Sequence, residues 1–278
     1  MADTSAFLDQ HLITGSLYEG EHRLASRTGA LMAAKTSGRP TAAVIAAHAS
    51  AARPGTGTVL DIGCGRGAST LALAQALPQA RVCAVDASAA LLNATRARLR
   101  PHGLPVHTVR ADFHRLPLPT GQAALAVAAF CLYHSPTPQA ALTEIARCLA
   151  PGATLILATK AADSYASLYR LVAKAGLDPD ATRRPSLYSA FHSGNFRSIT
   201  ESAFTITHVE HEAHRFRFRD FAHVAAYLAT TPKYRLPDEL ASNAAAITDH
   251  LQRTLTEGPV ETASVVSYLT ATRPGEHP

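Results

Sequence analysis

Residues 58–68 read TVLDIGCGRGA, from Thr58 to Ala68: a short apolar run, an acid at Asp61, then glycines at Gly63, Gly65 and Gly67. Only glycine enters positive φ without steric cost, so this spacing predicts a strand and then a turn against which a ligand lies on bare backbone. Two registers fit. Gly63, Gly65 and Ala68 match the dinucleotide pattern G-x-G-x-x-A, with Asp86 at roughly the 20-residue distance of a ribose-binding acid. Asp61, the third glycine Gly67 and the residues downstream separate that reading from its rival.

Downstream, Leu71, Leu73, Ala74 and Leu77 predict an apolar helix face ended by Pro78. RVCAVD, Arg81 to Asp86, reads as a second buried strand closing on an acid. Ser88 caps a helix whose Leu91, Leu92, Thr95 and Leu99 recur with helical spacing until Pro101. A strand over 105–110 leads into ADFHRLPLP, with Asp112 and Phe113 just past its end. AALAVAAF, Ala123 to Phe130, lacks alternation, as a central parallel strand buried on both faces should. CLYH follows; Pro138 then opens a helix with Leu142, Ile145 and Leu149 inward, and PGATLILAT makes a fifth strand. Strand and helix in alternation predict an α/β sheet. In a doubly wound sheet ligands lie across the carboxyl ends of the strands near the switch point, so Asp61, Asp86 and Asp112 converge on one crevice. A carboxylate there can accept two ribose hydroxyls, the role expected of Asp86.

LDIGCGRG resembles the first motif of the class I S-adenosylmethionine-dependent methyltransferases, and the resemblance continues through ADFHRLPLP and AFCLYHSPTPQAALTEIARCLAPGATLILAT. It implies a Rossmann-like, doubly wound, mostly parallel seven-stranded sheet with a terminal antiparallel strand at its edge, here ETASVVSYLTAT. It also implies S-adenosyl-L-methionine as cofactor, with Asp86 on the ribose beside Ala87. Asp112 and the Phe113 backbone would read adenine. The Gly63 and Phe130 carbonyls would hold the amino group, near Asp61, and Cys64 to Gly67 would pass beside the methionine moiety. The expected reaction is attack on the methyl of a sulfonium, in which the protein aligns the partners and, for some nucleophiles, removes a proton. His134 is the expected base, and Tyr133 would position the substrate or meet the sulfonium. His134 could equally cap the turn before Pro136.

The remainder bears on substrate. Residues 1–52 carry helix-like segments expected to form a cap or lid over a core spanning 53–278, with a substrate-binding insertion around 163–203. Tyr18, His22, Arg23, Arg27, Tyr165 and Tyr188 are the candidate substrate residues. Cap and insertion favour a small organic acceptor of specialised metabolism, at oxygen, nitrogen or carbon. An enzyme of the same fold attacking the aminocarboxypropyl chain, by transfer or cyclisation, stays open, as does a binding protein without catalysis.

Composition excludes several classes. With 47% hydrophobic and 17% charged residues among 278, the chain is globular rather than disordered. No apolar run is long enough to span a bilayer. Cys64, Cys83, Cys131 and Cys148 lack C-x-x-C spacing, as in a reducing compartment, so a cytoplasmic location is expected. The net charge of +5 is modest, though Arg215, Arg217 and Arg219 should share a strand face opposite Phe216 and Phe218. RNA is a lesser alternative substrate, because FCLYH stands where base-amine methyltransferases carry an Asn or Asp-Pro-Pro-aromatic segment. His208, His211 and His214 lie three apart, on opposite faces of a strand, so they do not converge and no metal is expected.

Overall fold

The computed structural model describes residues 5–9 and 21–275. In chain order the elements are α1 (Glu21–Ala34), β1 (Lys35–Ser37), α2 (Thr41–Ala52), β2 (Thr58–Ile62), α3 (Ala68–Ala76), β3 (Arg81–Asp86), α4 (Ala89–Leu99) and β4 (Val106–Arg110). Then come β5 (Ala123–Ala129), α5 (Pro138–Cys148), β6 (Leu149–Lys160), α6 (Ala166–Lys174), α7 (Phe196–Thr200), β7 (Thr205–Phe218), α8 (Phe221–Leu228), α9 (Ala244–Thr254) and β8 (Val260–Thr272). The strands hydrogen-bond in the order β1-β7-β8-β6-β5-β2-β3-β4. The α/β doubly wound expectation holds, with two corrections. The described residues form eight strands rather than seven, because β1 is added. The terminal strand β8 runs antiparallel to β6 as expected, but it lies between β7 and β6 instead of at the edge.

The chain divides into two compact units, the first from residues 1–38, 161–189 and 212–265, the second from 39–160, 190–211 and 266–278. The division differs from the 1–52 cap and 163–203 insertion expected from sequence. Residues 39–52, including α2, belong with the sheet of the second unit, and 190–203 do as well. Helix α2 goes there because Val44, Ile45 and Ala49 join one buried cluster with Val59, Leu73, Val82, Leu125, Val127, Ile156 and Tyr268.

In the second unit, β2 pairs in parallel with β3 on one side and β5 on the other, aligning Leu60 with Cys83 and with Ala126. The order reverses between β2 and β5, which makes their carboxyl ends the switch point. Strand β5 is buried along nearly its whole length, as its apolar run AALAVAA predicts. Ser88 caps α4 by accepting from Leu91 N at 3.3 Å, and Leu91, Leu92, Thr95 and Leu99 form the buried face.

The first unit has an aromatic core. Tyr165 packs its ring 5.5 Å from Phe216 and 6.1 Å from Tyr227, and Phe218 stands 5.8 Å from Tyr227. Along this end of β7, Phe216 and Phe218 are buried while Arg215 and Arg217 are exposed, the alternation expected of HRFRFR.

Candidate cofactor site

All three glycines of the loop after β2 adopt positive φ: 64° at Gly63, 57° at Gly65 and 74° at Gly67. Their surroundings differ. A Cβ on Gly63 would lie 2.4 Å from the Cβ of Cys131, and one on Gly67 would lie 2.8 Å from Thr95. One on Gly65 would meet nothing within 4 Å. Packing therefore demands glycine at 63 and 67, whereas at 65 the protein leaves room beside the backbone for a ligand.

Neighbouring elements hold the loop. Val85 O at the end of β3 accepts from Cys64 N at 3.0 Å, Thr95 on α4 donates its hydroxyl to Gly65 O at 2.9 Å, and Arg98 Nε donates to Arg66 O at 2.8 Å. The sequence places Thr95 only on an apolar face. A buried hydroxyl on such a face needs an acceptor, and the loop carbonyl provides it.

Asp86, last in β3, accepts from Gly65 N through Oδ2 and from Ser88 N through Oδ1, both at 2.9 Å. Each oxygen retains a lone pair for a further donor. Burial pushes its carboxyl up, against the pull of these backbone amides.

Asp61 is buried, and its Oδ2 accepts from Ser69 at 2.9 Å and Thr70 at 2.5 Å. Its Oδ1 has no hydrogen-bond partner. Burial raises the carboxyl to about 6, the two hydroxyls oppose the rise, and Asp86 adds to it. The ordinary value is 3.8, so from about pH 4 to about 6 the folded protein holds more protons than the unfolded chain, and stability falls as pH rises through that window. The loss is on the order of 3 kcal/mol and complete above the folded value. Thermal melts of Asp61→Asn should therefore gain on the wild type as pH climbs from 4 to 6 and keep a constant difference above; a difference independent of pH would contradict the assignment.

After β4, Asp112 Oδ1 accepts from His114 N at 2.9 Å and lies 2.7 Å from His114 Nδ1, while His114 Nε2 lies 2.7 Å from Ser135 Oγ. Ser135 in turn accepts from Thr137 N at 3.0 Å. The imidazole thus ties the turn after β4 to the turn after β5. Sequence reasoning passed over His114 and Ser135. The D-x-H spacing was a usable local signal for the first half of this chain; nothing local signals the second. Phe113 packs against His114 with ring centroids 4.8 Å apart and planes tilted by 49°.

Phe130 closes β5 with φ of 57°, a costly conformation for a residue with a side chain, and Lys160 Nζ lies 5.3 Å above its ring. The short helical turn Leu132–His134 follows. His134 is half-buried there, its ring 4.7 Å from that of Tyr133, which is itself buried. Ala87 is exposed between Asp86 and Ser88. Asp61, Asp86, Asp112, Phe130 and His134 thus all stand at or just beyond the carboxyl ends of β2 to β5.

The substrate candidates lie on other segments. Tyr18 falls outside the described residues. In the first unit, His22 is exposed, while Arg23 Nε and Arg27 Nη1 both donate to Thr230 O at 3.4 Å. Tyr165 and Tyr188 are buried in that unit's own core, Tyr188 against Phe7 at 6.1 Å. Two arginines have partners within the chain: Arg184 pairs with buried Asp178, and Arg96 donates to Thr108 and Asn93. No described helix is long and apolar enough to cross a membrane.

Comparison with known proteins places this geometry in context. Residues 59–152 match the family described as a methyltransferase domain. The malonyl-[acyl-carrier protein] O-methyltransferase of Alcanivorax borkumensis is 37% identical over 141 residues, covering 49% of this chain and 47% of that protein. A ubiquinone/menaquinone biosynthesis C-methyltransferase of Syntrophotalea carbinolica is 34% identical over 113 residues, 41% of this chain and 48% of that protein. The chain spans under half the length of these curated relatives. Among solved structures, a candidate methyltransferase of Bacillus halodurans superposes with a TM-score of 0.59 at 17% identity, over 84% of this chain and 100% of that one. That similarity is one of fold.

Proposed function

We propose that this chain, whose residues 59–152 match the family described as a methyltransferase domain, is a class I S-adenosylmethionine-dependent methyltransferase that transfers the cofactor's methyl group to a small organic molecule. The observation that carries the proposal is the pairing of Asp86 with Gly65: a carboxylate with lone pairs to spare beside the one loop glycine whose flank stands open. Asp86 would accept the ribose hydroxyls. Asp61 Oδ1, buried and without a partner, suits a donor such as the amino group, near the Gly63 and Phe130 carbonyls. Asp112, held by His114, would face the adenine beside Phe113.

Bound S-adenosylmethionine supplies a methyl on a positively charged sulfur, a carbon already activated for displacement. The residues then have to orient the acceptor, exclude water and take a proton where the nucleophile carries one. His134, half-buried just beyond the end of β5, suits that last task, with buried Tyr133 fixing its ring rather than meeting substrate. The relatives' names span oxygen and carbon acceptors, so the acceptor atom is left open. His22, Arg23 and Arg27 remain substrate candidates, and Tyr165 and Tyr188 would act by shaping the first unit.

Product analysis tests the proposal. Incubation with S-adenosylmethionine and a panel of small carboxylic, phenolic and amine acceptors should release S-adenosylhomocysteine with a methylated acceptor. Methylthioadenosine would indicate attack on the aminocarboxypropyl chain, and neither product a binding protein; either result contradicts methyl transfer. For His134→Ala, turnover should fall about a hundredfold, the lower range for general base catalysis, with cofactor affinity unchanged. A wild-type rate at every pH would remove His134 as base.

A further inference from the structure

Three side chains with metal-ligand chemistry meet in the second unit, on residues that the cofactor site does not use. They are His48 on α2 and His208 and Glu210 on β7, and one ligand atom from each lies within 4.8 Å of the other two. Residues two apart on a strand share a face, which is why His208 pairs with Glu210 and not with its histidine neighbour His211. His211 instead reaches Ser267 Oγ at 2.7 Å.

The third ligand comes from a helix fixed by the core. Val44, Ile45 and Ala49 are buried, and half-buried His48 stands one turn after Val44, on the same side of the helix. Tyr268 adds a restraint, its hydroxyl donating to Thr41 Oγ1 at 3.3 Å and its ring 6.3 Å from that of His48.

The distances favour coordination. Zinc bonds of about 2.0–2.1 Å in tetrahedral geometry set ligand atoms about 3.4 Å apart. His48 Nε2 and Glu210 Oε2 already lie 3.6 Å apart, and the two imidazoles face each other at 5.6 Å between centroids. The other carboxylate oxygen, Oε1, is engaged by Arg39, which orients the group and leaves Oε2 toward the histidines. His208 is exposed, and its ligand atom lies within 4.8 Å of the other two.

We propose that His48, His208 and Glu210 bind a divalent first-row transition cation, for which Zn2+ is the test ion. Two imidazoles and one carboxylate are a ligand set that Zn2+ takes with a fourth position left to water. The ion would staple α2 to β7, joining two elements of the second unit far apart in sequence. The inference does not depend on the proposed methyl transfer.

Calorimetric titration of Zn2+ into the chelator-treated full chain, at about pH 7.5 where imidazoles are neutral, should show one equivalent bound and a raised Tm. His48→Ala and His208→Ala should each weaken binding by about tenfold or more and abolish the Tm rise, since loss of even a supporting group costs about that much. His211→Ala should bind as the wild type does. Circular dichroism checks that each variant folds; should His48→Ala fail to fold, exposed His208 carries the test. Absence of a one-equivalent site in the wild type, or equal Zn2+ affinity in wild type and His208→Ala, overturns the proposal.

Discussion

Replacing Asp86 with alanine should weaken S-adenosylmethionine binding by about thirtyfold or more. The figure corresponds to about 2 kcal/mol, the scale for hydroxyls left without their acceptor in a desolvated site. The structure adds a second reason. Both Asp86 oxygens anchor backbone amides, one of them Gly65 N, so the variant loses the hydroxyl acceptor and the clamp that holds the loop. Asp86→Asn separates the two. An amide retains one acceptor oxygen but turns a donor toward one of the backbone N–H groups, so its affinity should fall between wild type and alanine. Calorimetry measures both variants, and wild-type affinity in Asp86→Ala would refute the ribose assignment.

Gly63→Ala should be the most destabilising single substitution in the loop, by about 3 kcal/mol. Positive φ costs a residue with a side chain about 1–2 kcal/mol, and forcing extra volume into a packed interior costs about 1–3 more. The interior here is unforgiving, because the new methyl would lie 2.4 Å from the Cβ of Cys131, whose thiol is bonded to Ile62 O at 3.3 Å. For a chain of this size the loss lowers Tm by on the order of 10 °C. Gly65→Ala supplies the contrast. It carries the φ cost alone, so Tm should fall only slightly while cofactor affinity drops, because the added methyl occupies the open flank. Equal melting temperatures for the two variants would contradict the distinction drawn between these glycines.

The part of the fold legible in sequence is the part written in contiguous residues. β2, β3, β5 and the later part of β6 are apolar runs because strands buried on both faces must be, and their turns are marked by glycines, a serine cap and acids at strand ends. The loop, Asp61, Asp86 and Asp112 could be placed for the same reason. What escaped was pairing between distant segments. Nothing local tells β8 to insert between β7 and β6, or assigns α2 to the sheet instead of to a cap. Nothing periodic in the 162-residue interval between His48 and Glu210 signals that the two will meet. Tyr165 and Tyr188 are substrate candidates in the sequence. They are buried because the first unit builds its own core from them. His114 shows the intermediate case: its bond to Asp112 is encoded two residues away, its bond to Ser135 only in the packed fold.

All four cysteines are free and buried. Burial pushes every one of their thiols up, those of Cys64 and Cys131 with help from the negative charge of Asp61 and Asp86. Thiolate is the form that alkylates, so maleimide dyes should label the native protein slowly. A single cysteine introduced at an exposed position would then be labelled selectively without deleting any of the originals, and fluorescence could follow this protein with its own interior untouched.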